Sequence, residues 1–184
     1  MISPNILGLL YALSEVALSA MKRSQPGAAS KDMTFKLIWA VMPTTVVALL
    51  AIAAYVPATR LPFAGELYFA GLVIFVVGLV VRFGAVVQLG RYFTVDVKVA
   101  SDHQVIDTGF YRYVRHPSYA GVVIAMLGLG VSTGNWLSIV VSAIPPFLAL
   151  KARMDVEEVA LAEGLGDAYR NYMQRTKRLL PFVY

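Results

Sequence analysis

The sequence predicts an all-α, polytopic integral membrane protein with about five transmembrane helices, from its composition and from the grouping of its apolar residues. Hydrophobic residues make up 58% of the 184 residues and charged residues only 15%, and the mean hydropathy is +0.67. Soluble domains are nearer to half apolar and about a quarter charged. The apolar excess also falls in long blocks, which indicates membrane spans and not the core of a large soluble domain.

Three N-terminal blocks are predicted to span the bilayer, because each approaches the ~20 mostly apolar residues that a transmembrane helix needs. They are Ile2–Met21, Leu37–Val56 and Leu67–Leu89. In the first block the positive charges of Lys22 and Arg23 follow the apolar run, whereas in a secretory signal peptide they precede it. We therefore expect a retained N-terminal helix.

We interpret the next two blocks, Ser118–Val131 and Trp136–Leu150, as a helical hairpin that turns at Asn135. Each arm is marginal as a straight span, so the hairpin is expected to be tilted or partly embedded. Pro145 and Pro146 are expected to kink the second arm, because proline removes a backbone donor.

Polarity rises after the hairpin, and residues 153–177 are predicted to form a cytoplasmic helix that breaks near Gly164 and Gly166. The second part has apolar and aromatic residues at helical spacing, which is typical of a face that packs on the protein or lies at the interface. That face carries Tyr169, Tyr172, Met173 and Thr176.

Membrane topology explains the net charge of +5. Arg60 lies in the loop between the second and third spans. The other basic residues lie in or near the loops of the opposite side: Lys22, Arg23, Lys31, Lys36, Arg82, Arg91, Lys98, Arg112, Arg115, Lys151, Arg153, Arg170, Arg175, Lys177 and Arg178. With an odd number of crossings and the N-terminus outside, the positive-inside rule makes the basic face cytoplasmic. The charge therefore gives no reason to expect a nucleic acid partner.

Two kinds of residue stand out inside the spans. Glu15 lies in the first span, and an intramembrane carboxylate is a functional candidate by default. The alternative, which we favour, is an acid that faces the bundle and hydrogen-bonds to Ser14, Ser19 or a neighbouring helix. Three small residues can let helices pack closely: Gly121, Gly128 and Gly130.

Composition and motifs exclude several kinds of chemistry. Without cysteine the chain has no disulfide framework, thiolate metal site or cysteine nucleophile, and two histidines leave little for a zinc site. The sequence contains no GxSxG, HExxH or GxxxxGK[ST] motif. We therefore expect no metal.

Polar and aromatic residues concentrate in 91–121 and in 153–158. In the stretch YRYVRHPSYAG, Pro117 biases His116 away from helical geometry and can begin the next helix. The histidine is thus expected at a helix N-terminus, where backbone amides favour an anionic group such as a carboxylate. Such a histidine is as often structural as functional, so this reasoning leaves both roles open.

The second cluster, RMDVEE, contains Arg153 and Glu157 four residues apart. Residues at this spacing share a helix face, so the two side chains could pair. Composition alone favours an ordinary surface ion pair, which contributes little to stability.

These clusters resemble the isoprenylcysteine carboxyl methyltransferase family, integral membrane methyltransferases that are related to phospholipid methyltransferases. The shared pattern is RHPxYxG, a hydrophobic stretch and a Glu-Glu pair, which here are DHQVIDTGFYRYVRHPSYAG, the hairpin and Glu157-Glu158. The resemblance extends from about Gly90 to the C-terminus and is weak over the first two spans. We expect one domain, residues 1–184, in which 1–89 holds the three predicted N-terminal transmembrane helices, and the resemblance makes 90–184 the cofactor-binding half.

The resemblance implies S-adenosylmethionine as the methyl donor, bound on the cytoplasmic side. Carried over position by position, the cofactor-binding residues are His103, Gln104, Val105, Ile106, Tyr111, His116, Pro117, Ser118, Tyr119 and Glu157. Arg153 matches the position that faces the methyl acceptor, which makes it the expected substrate-binding and catalytic residue. Lys98 stands where the family has a polar amide that touches the cofactor.

Chemistry is consistent with these roles. Glu157 can accept from the cofactor's ammonium group, the helix N-terminus can hold its carboxylate, and Tyr111 or Tyr119 can flank the adenine or the sulfonium. Methyl transfer is an in-line displacement, so alignment supplies most of the catalysis. A carboxylate acceptor needs no base, whereas a phenol or an amine would need His116 or Glu158 to remove a proton.

The expected partners are membrane lipids and a lipophilic or prenylated acceptor. Carboxyl O-methylation of an isoprenylcysteine, or of a similar isoprenoid or lipid acid, fits the resemblance best. Phospholipid N-methylation is an alternative, because Gly128-Leu129-Gly130 resembles the GxG of that branch, and alkyl-phenol O-methylation is another. A scaffold or transporter is a remote alternative, since Glu15 is the nearest approach to a polar midplane. The short chain suggests a prokaryotic protein of the inner or plasma membrane.

Overall fold

Six α-helices and short 3-10 turns form the part of the chain that the computed structural model describes, residues 2–21, 33–93, 104–181 and 184. The helices are α1 (Pro4–Met21), α2 (Met33–Tyr55), α3 (Ala64–Leu89), α4 (Pro117–Ser132), α5 (Trp136–Leu165) and α6 (Asp167–Arg175). Three 3-10 turns lie at Pro57–Thr59, Gly90–Tyr92 and Gly109–Arg112. The predicted all-α class is confirmed.

Three helices are long and apolar enough to cross a membrane, judged by length and composition: Met33–Tyr55, Ala64–Tyr92 and Trp136–Leu165. Two shorter apolar helices are Pro4–Ala20 and Pro117–Ser132. The five apolar helices that were expected are thus all present, although they differ in length.

The closest helix pair is α3 and α4, whose backbones touch through glycines. A side chain at Gly121 would collide with the backbone of Arg82, and one at Gly128 would collide with Phe75. From the other helix, Gly78 meets Ala125 in the same way. Apolar side chains gain little by leaving lipid, so such close van der Waals contact is what holds apolar helices together.

The predicted role of the α4 glycines in packing is confirmed, but they serve two neighbours. Gly121 and Gly128 face α3, whereas Gly130 faces Ser142 of α5. The α2 helix packs along α5, and the Ser138 hydroxyl donates to the Leu49 carbonyl across that interface at 2.8 Å. The buried core between these helices includes Leu7, Tyr11, Leu49, Phe75, Met126, Leu129 and Leu150.

Two connections meet at one end of the bundle. Asn135 caps α5 by accepting from the amides of Leu137 and Ser138, each at 3.1 Å, and its amide donates to the Val56 carbonyl at 3.3 Å. The Leu61 amide donates to Gly134 at 2.8 Å. Arg60 lies at this end, and the other described basic residues lie toward the opposite end. The charge asymmetry expected from the sequence is therefore present along the bundle.

The α5 helix differs from the expected hairpin arm. It continues from Trp136 to Leu165 without a break at Leu150, so the predicted end of the arm and the separate helix beginning at 153 are wrong. The segment after Leu150 is rich in Ala, Glu, Lys, Arg and Met, which favour helix, so polarity changes there while the backbone conformation does not. The predicted break near Gly166 is confirmed, since this residue has φ +59° between α5 and α6.

We expect Gly128→Ala to lower the free energy of unfolding by about 1–3 kcal/mol, because the added methyl group overpacks the α3–α4 contact. Thermal unfolding in detergent, followed by circular dichroism, measures the loss. Gly65→Ala is the matched control, since a methyl group there meets nothing within 4 Å. Equal stability of the two variants would contradict this account of the glycine contact.

Candidate active site

A cavity of about 460 Å³ opens inside the bundle and receives residues from all six helices. Its polar part, here called the polar chamber, is lined by Gln104, Tyr111, His116, Tyr119, Arg153 and Glu157. The chamber continues into an apolar corridor between α1 and α2, which is lined by Gly8, Leu9, Ala12, Val16, Trp39, Met42, Val46 and Val47. One continuous space therefore joins charged groups to a lipophilic wall.

The polar chamber contains the N-terminus of α4. His116 is the N-cap residue, with φ −122° and ψ 57°, and Pro117 begins the helix and is fully buried. The predicted position of His116 at a helix N-terminus is thus confirmed. The His116 ring stacks on Tyr119, with centroids 5.5 Å apart and planes inclined by 12°. The first turn of a helix leaves backbone N–H groups without intrahelical partners, so this end of the chamber suits an anionic group.

The buried carboxylate of Glu158 holds the α4 N-terminus in place. Its side chain is 4% exposed and accepts from Arg115 Nε at 2.8 Å and from Arg178 Nη2 at 2.7 Å. His116 Nε2 lies 3.1 Å from the Glu158 Oε1 atom. A carboxylate shared by two guanidinium groups is held in its ionised form and is a poor proton acceptor. This geometry suits a structural role for Glu158.

The C-terminal segment also supports the chamber. The backbone carbonyls of residues 177–178 accept from the amides of Arg115 and His116 at 2.7 and 3.0 Å. The Tyr172 hydroxyl of α6 donates to the Tyr111 carbonyl at 2.6 Å. The predicted packing of the α6 aromatic face is confirmed, because its tyrosines are buried.

Ionisation of two groups beside the chamber follows from their surroundings. Burial, reinforced by the charge of Glu157, raises the pKa of Tyr111 above its ordinary value, so this phenol stays protonated. Burial lowers the pKa of Arg178, but hydrogen bonds to Tyr184, Glu158 and Asp155 outweigh burial and raise it overall. Arg178 therefore remains a cation.

The α5 helix supplies the opposite wall. The Tyr119 hydroxyl donates to Glu157 Oε2 at 2.8 Å. Arg153, one turn earlier, is only 3% exposed and its Nη1 donates to Thr34 Oγ1 at 3.3 Å. The interpretation of Arg153 as part of a surface ion pair is therefore wrong. Because α5 continues beyond the apolar arm, this face of the helix turns into the chamber.

Glu15 and Arg82 form a partly buried ion pair between α1 and α3 at the junction of chamber and corridor. Arg82 donates through Nε to Oε1 at 3.1 Å and through Nη2 to Oε2 at 2.9 Å. Its Nη1 donates to the hydroxyl of Ser118. The favoured interpretation of Glu15, an acid that bonds to a neighbouring helix, is confirmed, with Arg82 as the partner.

The structure brings most of the predicted site residues together on one cavity. Those that line it are Gln104, Val105, Ile106, Tyr111, His116, Ser118, Tyr119, Arg153 and Glu157. His103 and Lys98 lie outside the described residues. Pro117 begins α4, and the Ser118 hydroxyl binds Arg82. The sequence analysis missed Arg82 as a residue of the cavity. Its charge within an apolar helix was a signal, because such a residue needs a partner.

Glu158→Gln is expected to lower the free energy of unfolding by about 3–5 kcal/mol, because two guanidinium groups lose their buried counter-charge. Thermal unfolding in detergent provides the measurement. Asp167→Asn removes an exposed carboxylate that pairs with Arg170 and should change stability by less than about 0.5 kcal/mol. Similar losses in both variants would contradict the structural role of Glu158.

Comparison with known proteins identifies the family. The model of the isoprenylcysteine carboxyl methyltransferase (ICMT) family matches residues 71–163, half of the chain. This range includes most of α3, all of α4 and the α5 residues that line the chamber.

Curated relatives carry the same description. A probable protein-S-isoprenylcysteine O-methyltransferase from Oryza sativa subsp. indica is 35% identical over 117 residues, which are 62% of this chain and 61% of the relative. A protein-S-isoprenylcysteine O-methyltransferase from Schizosaccharomyces pombe is 33% identical over 108 residues, 58% of this chain and 46% of the relative. The matched region thus spans between about half and three fifths of these relatives.

A solved structure, that of the eukaryotic intramembrane Ras methyltransferase ICMT without a monobody, has the same fold. It superposes with a TM-score of 0.71 over 97% of this chain and 64% of that chain, at 23% sequence identity. The apolar helices and this likeness indicate an integral membrane protein. Together with the family match, they establish that the chain belongs to the isoprenylcysteine carboxyl methyltransferase family.

Proposed function

We propose that the protein is an S-adenosylmethionine-dependent membrane methyltransferase that acts on a lipophilic carboxylic acid, such as an isoprenylcysteine or a related isoprenoid or lipid acid. The observation that carries this proposal is the single cavity that joins the polar chamber to the apolar corridor. A methyl acceptor with a charged head and a lipid chain needs both parts at once. Names of the relatives support the same reaction class.

The polar chamber has the donor set that S-adenosylmethionine requires. We assign the cofactor's carboxylate to the α4 N-terminus at His116, and its ammonium group to Glu157. The rings of Tyr111 and Tyr119 offer aromatic faces for the adenine or the sulfonium. Gln104, Val105 and Ile106 line the same space. When bound, the cofactor supplies an electrophilic methyl group on a sulfonium ion.

Arg153 is the residue that we assign to the acceptor. Its guanidinium is buried on the α5 wall, one turn from Glu157, so it can hold an acceptor carboxylate beside the cofactor position. A carboxylate is already a nucleophile and needs no base. This agrees with the ion-paired state of Glu158 and with the raised pKa of Tyr111, because neither group can then readily take a proton from the acceptor. Positioning then supplies most of the catalysis.

The apolar corridor is the assigned site of the acceptor's lipid chain. Several of its residues, among them Leu9, Val16 and Val47, are more than half exposed although they line the cavity, which is what a corridor open at the side of the bundle would give. An acceptor could thus enter sideways from the bilayer while its head group reaches Arg153. We place the chamber at the cytoplasmic face, with the N-terminus outside, because the basic residues lie toward that end.

Phospholipid N-methylation receives no added support from the glycines that resembled its motif. Gly128 and Gly130 pack against α3 and α5, so helix contact accounts for both. An amine acceptor would also need a base. Of the two candidates, the Glu158 carboxylate is already shared by two guanidinium groups, and His116 Nε2 lies 3.1 Å from that same carboxylate.

Calorimetric titration with S-adenosylhomocysteine, the demethylated cofactor, tests the cofactor assignment on the detergent-purified protein. We expect Glu157→Ala and His116→Ala to weaken binding at least about tenfold. The first removes the partner assigned to the ammonium group, worth roughly 1.5–3 kcal/mol, and the second removes the ring that stacks on Tyr119 and contacts Glu158 at the helix N-terminus. Arg153→Ala should retain cofactor affinity and lose methyl transfer. Glu163→Ala, an exposed position on the same helix, is the control. Failure of the folded wild type to bind would overturn the methyltransferase proposal.

Alkaline hydrolysis of the labelled product tests the acceptor class. After incubation of membranes with a radiolabelled methyl donor, a carboxyl methyl ester should release volatile methanol in base, whereas N-methyl and aryl methyl ether products should retain the label. Farnesylcysteine and a long-chain fatty acid serve as defined acceptors, and phosphatidylethanolamine as the amine comparison. Base-stable label on the phospholipid would favour the N-methylation alternative.

A further inference from the structure

Helix α1 forms one wall of the apolar corridor and is held to the bundle differently from the other helices. The α3 helix packs along α4 and α2 packs along α5, whereas α1 touches α2 and α4 more sparsely. At one end, the Tyr68 hydroxyl donates to the backbone carbonyl of Ile2. At the other end, the ion pair of Glu15 with Arg82 ties α1 to α3.

The ion pair is a charged contact between α1 and the rest of the bundle near the polar chamber. Its side chains are 21% exposed for Glu15 and 9% for Arg82, so both charges are largely withdrawn from solvent. A buried charge that loses its partner is strongly destabilising, whereas apolar side chains gain little by exchanging lipid for protein. The electrostatic contact is therefore the stronger constraint on this part of α1.

Arg82 is itself fixed to the chamber. One guanidinium nitrogen binds the Ser118 hydroxyl in the first turn of α4, and the guanidinium carbon lies 5.9 Å from the Phe93 ring centroid. Glu15 thus connects the corridor wall to the helix whose N-terminus forms the chamber. Both Glu15 oxygens accept from Arg82, so the whole carboxylate is engaged in this contact.

We propose that Glu15 is a positioning residue of the acceptor site. By binding Arg82 it holds α1 at the distance from the bundle that sets the width of the apolar corridor, and so selects the lipid chain that the corridor admits. The assignment of the lipid chain to this corridor rests on the proposed function, whereas the control of the α1 position by Glu15 does not. Loss of the pair should let α1 move outward and loosen the grip on a long chain.

Distance measurements between spin labels test the position of α1 without reference to activity. The chain has no cysteine, so Leu13→Cys on α1 and Leu148→Cys on α5, 55% and 56% exposed, can be labelled specifically. In the Glu15→Gln background we expect a longer and broader distance distribution. Ser14→Ala is the control, because the Ser14 hydroxyl bonds only within α1 among the described contacts, to the Tyr11 carbonyl. An unchanged distribution in Glu15→Gln would overturn the proposal.

A charge-reversed pair distinguishes loss of the ion pair from misfolding of the variant. Glu15→Arg and Arg82→Glu should each broaden the distribution, and the double variant should restore a narrow one, since the pair then exists with opposite polarity. Binding of S-adenosylhomocysteine reports whether each variant keeps its chamber. Broadening that persists in the double variant while this binding is retained would contradict the role of the ion pair.

Kinetics with acceptors of increasing chain length test selection by the corridor. For Glu15→Gln we expect KM for a farnesyl-length acceptor to rise about tenfold while kcat stays within about twofold, the pattern of lost binding shared by ground and transition states. A short-chain acid should show little change. Equal KM changes at every chain length would refute the selection role. Absence of methylation by the wild type would refute the proposed function, and the spin-label distances would then decide the role of Glu15.

Discussion

The candidate site depends on the ion pairs of the Glu158 carboxylate, because they join three separate parts of the chain. Glu158 belongs to α5, and it binds Arg115 ahead of α4 and Arg178 in the C-terminal segment. His116, at the helix N-terminus, contacts the same Glu158 oxygen, Oε1, as Arg115 does. Removing ions from water is costly, so these groups are stable in the bundle only as a complete set. The network therefore fixes the orientation of the α4 N-terminus relative to α5.

Two kinds of contact organise the bundle at different depths. In its apolar part the glycines of α3 and α4 bring backbones together, so that packing replaces the hydrophobic effect that lipid cannot provide. Nearer the basic end, ion pairs connect the helices. The Glu15–Arg82 pair lies at the boundary between the glycine contacts and these ion pairs. The cavity passes through the same junction, which is why one space can offer both a charged head-group site and an apolar wall.

Local rules predicted much of this architecture. The apolar blocks located the helices, and the dipeptide of His116 and Pro117 located the N-terminus of α4, because proline restricts the residue before it. The continuation of α5 past Leu150 could not be predicted, since the change from apolar to polar residues marks a change of surroundings and not of backbone conformation. The burial of Arg153 followed from that same continuation. The pairing of Glu15 with Arg82 joins residues far apart in sequence, so it depends on how α1 and α3 come together in the bundle.

The unbroken α5 helix has a mechanical consequence. At about 1.5 Å per residue, Arg153 lies about 26 Å along the axis from the start of the helix at Trp136. Such a length is comparable with the roughly 30 Å hydrocarbon layer, so α5, which continues through Pro145 and Pro146, sets the distance between the Asn135 cap and the chamber. The height of Arg153 and Glu157 relative to the lipid head groups is thereby set by bilayer thickness. A bilayer whose thickness does not match the helix is accommodated by tilting of the helix or by local deformation of the bilayer, and tilting would move the chamber with α5.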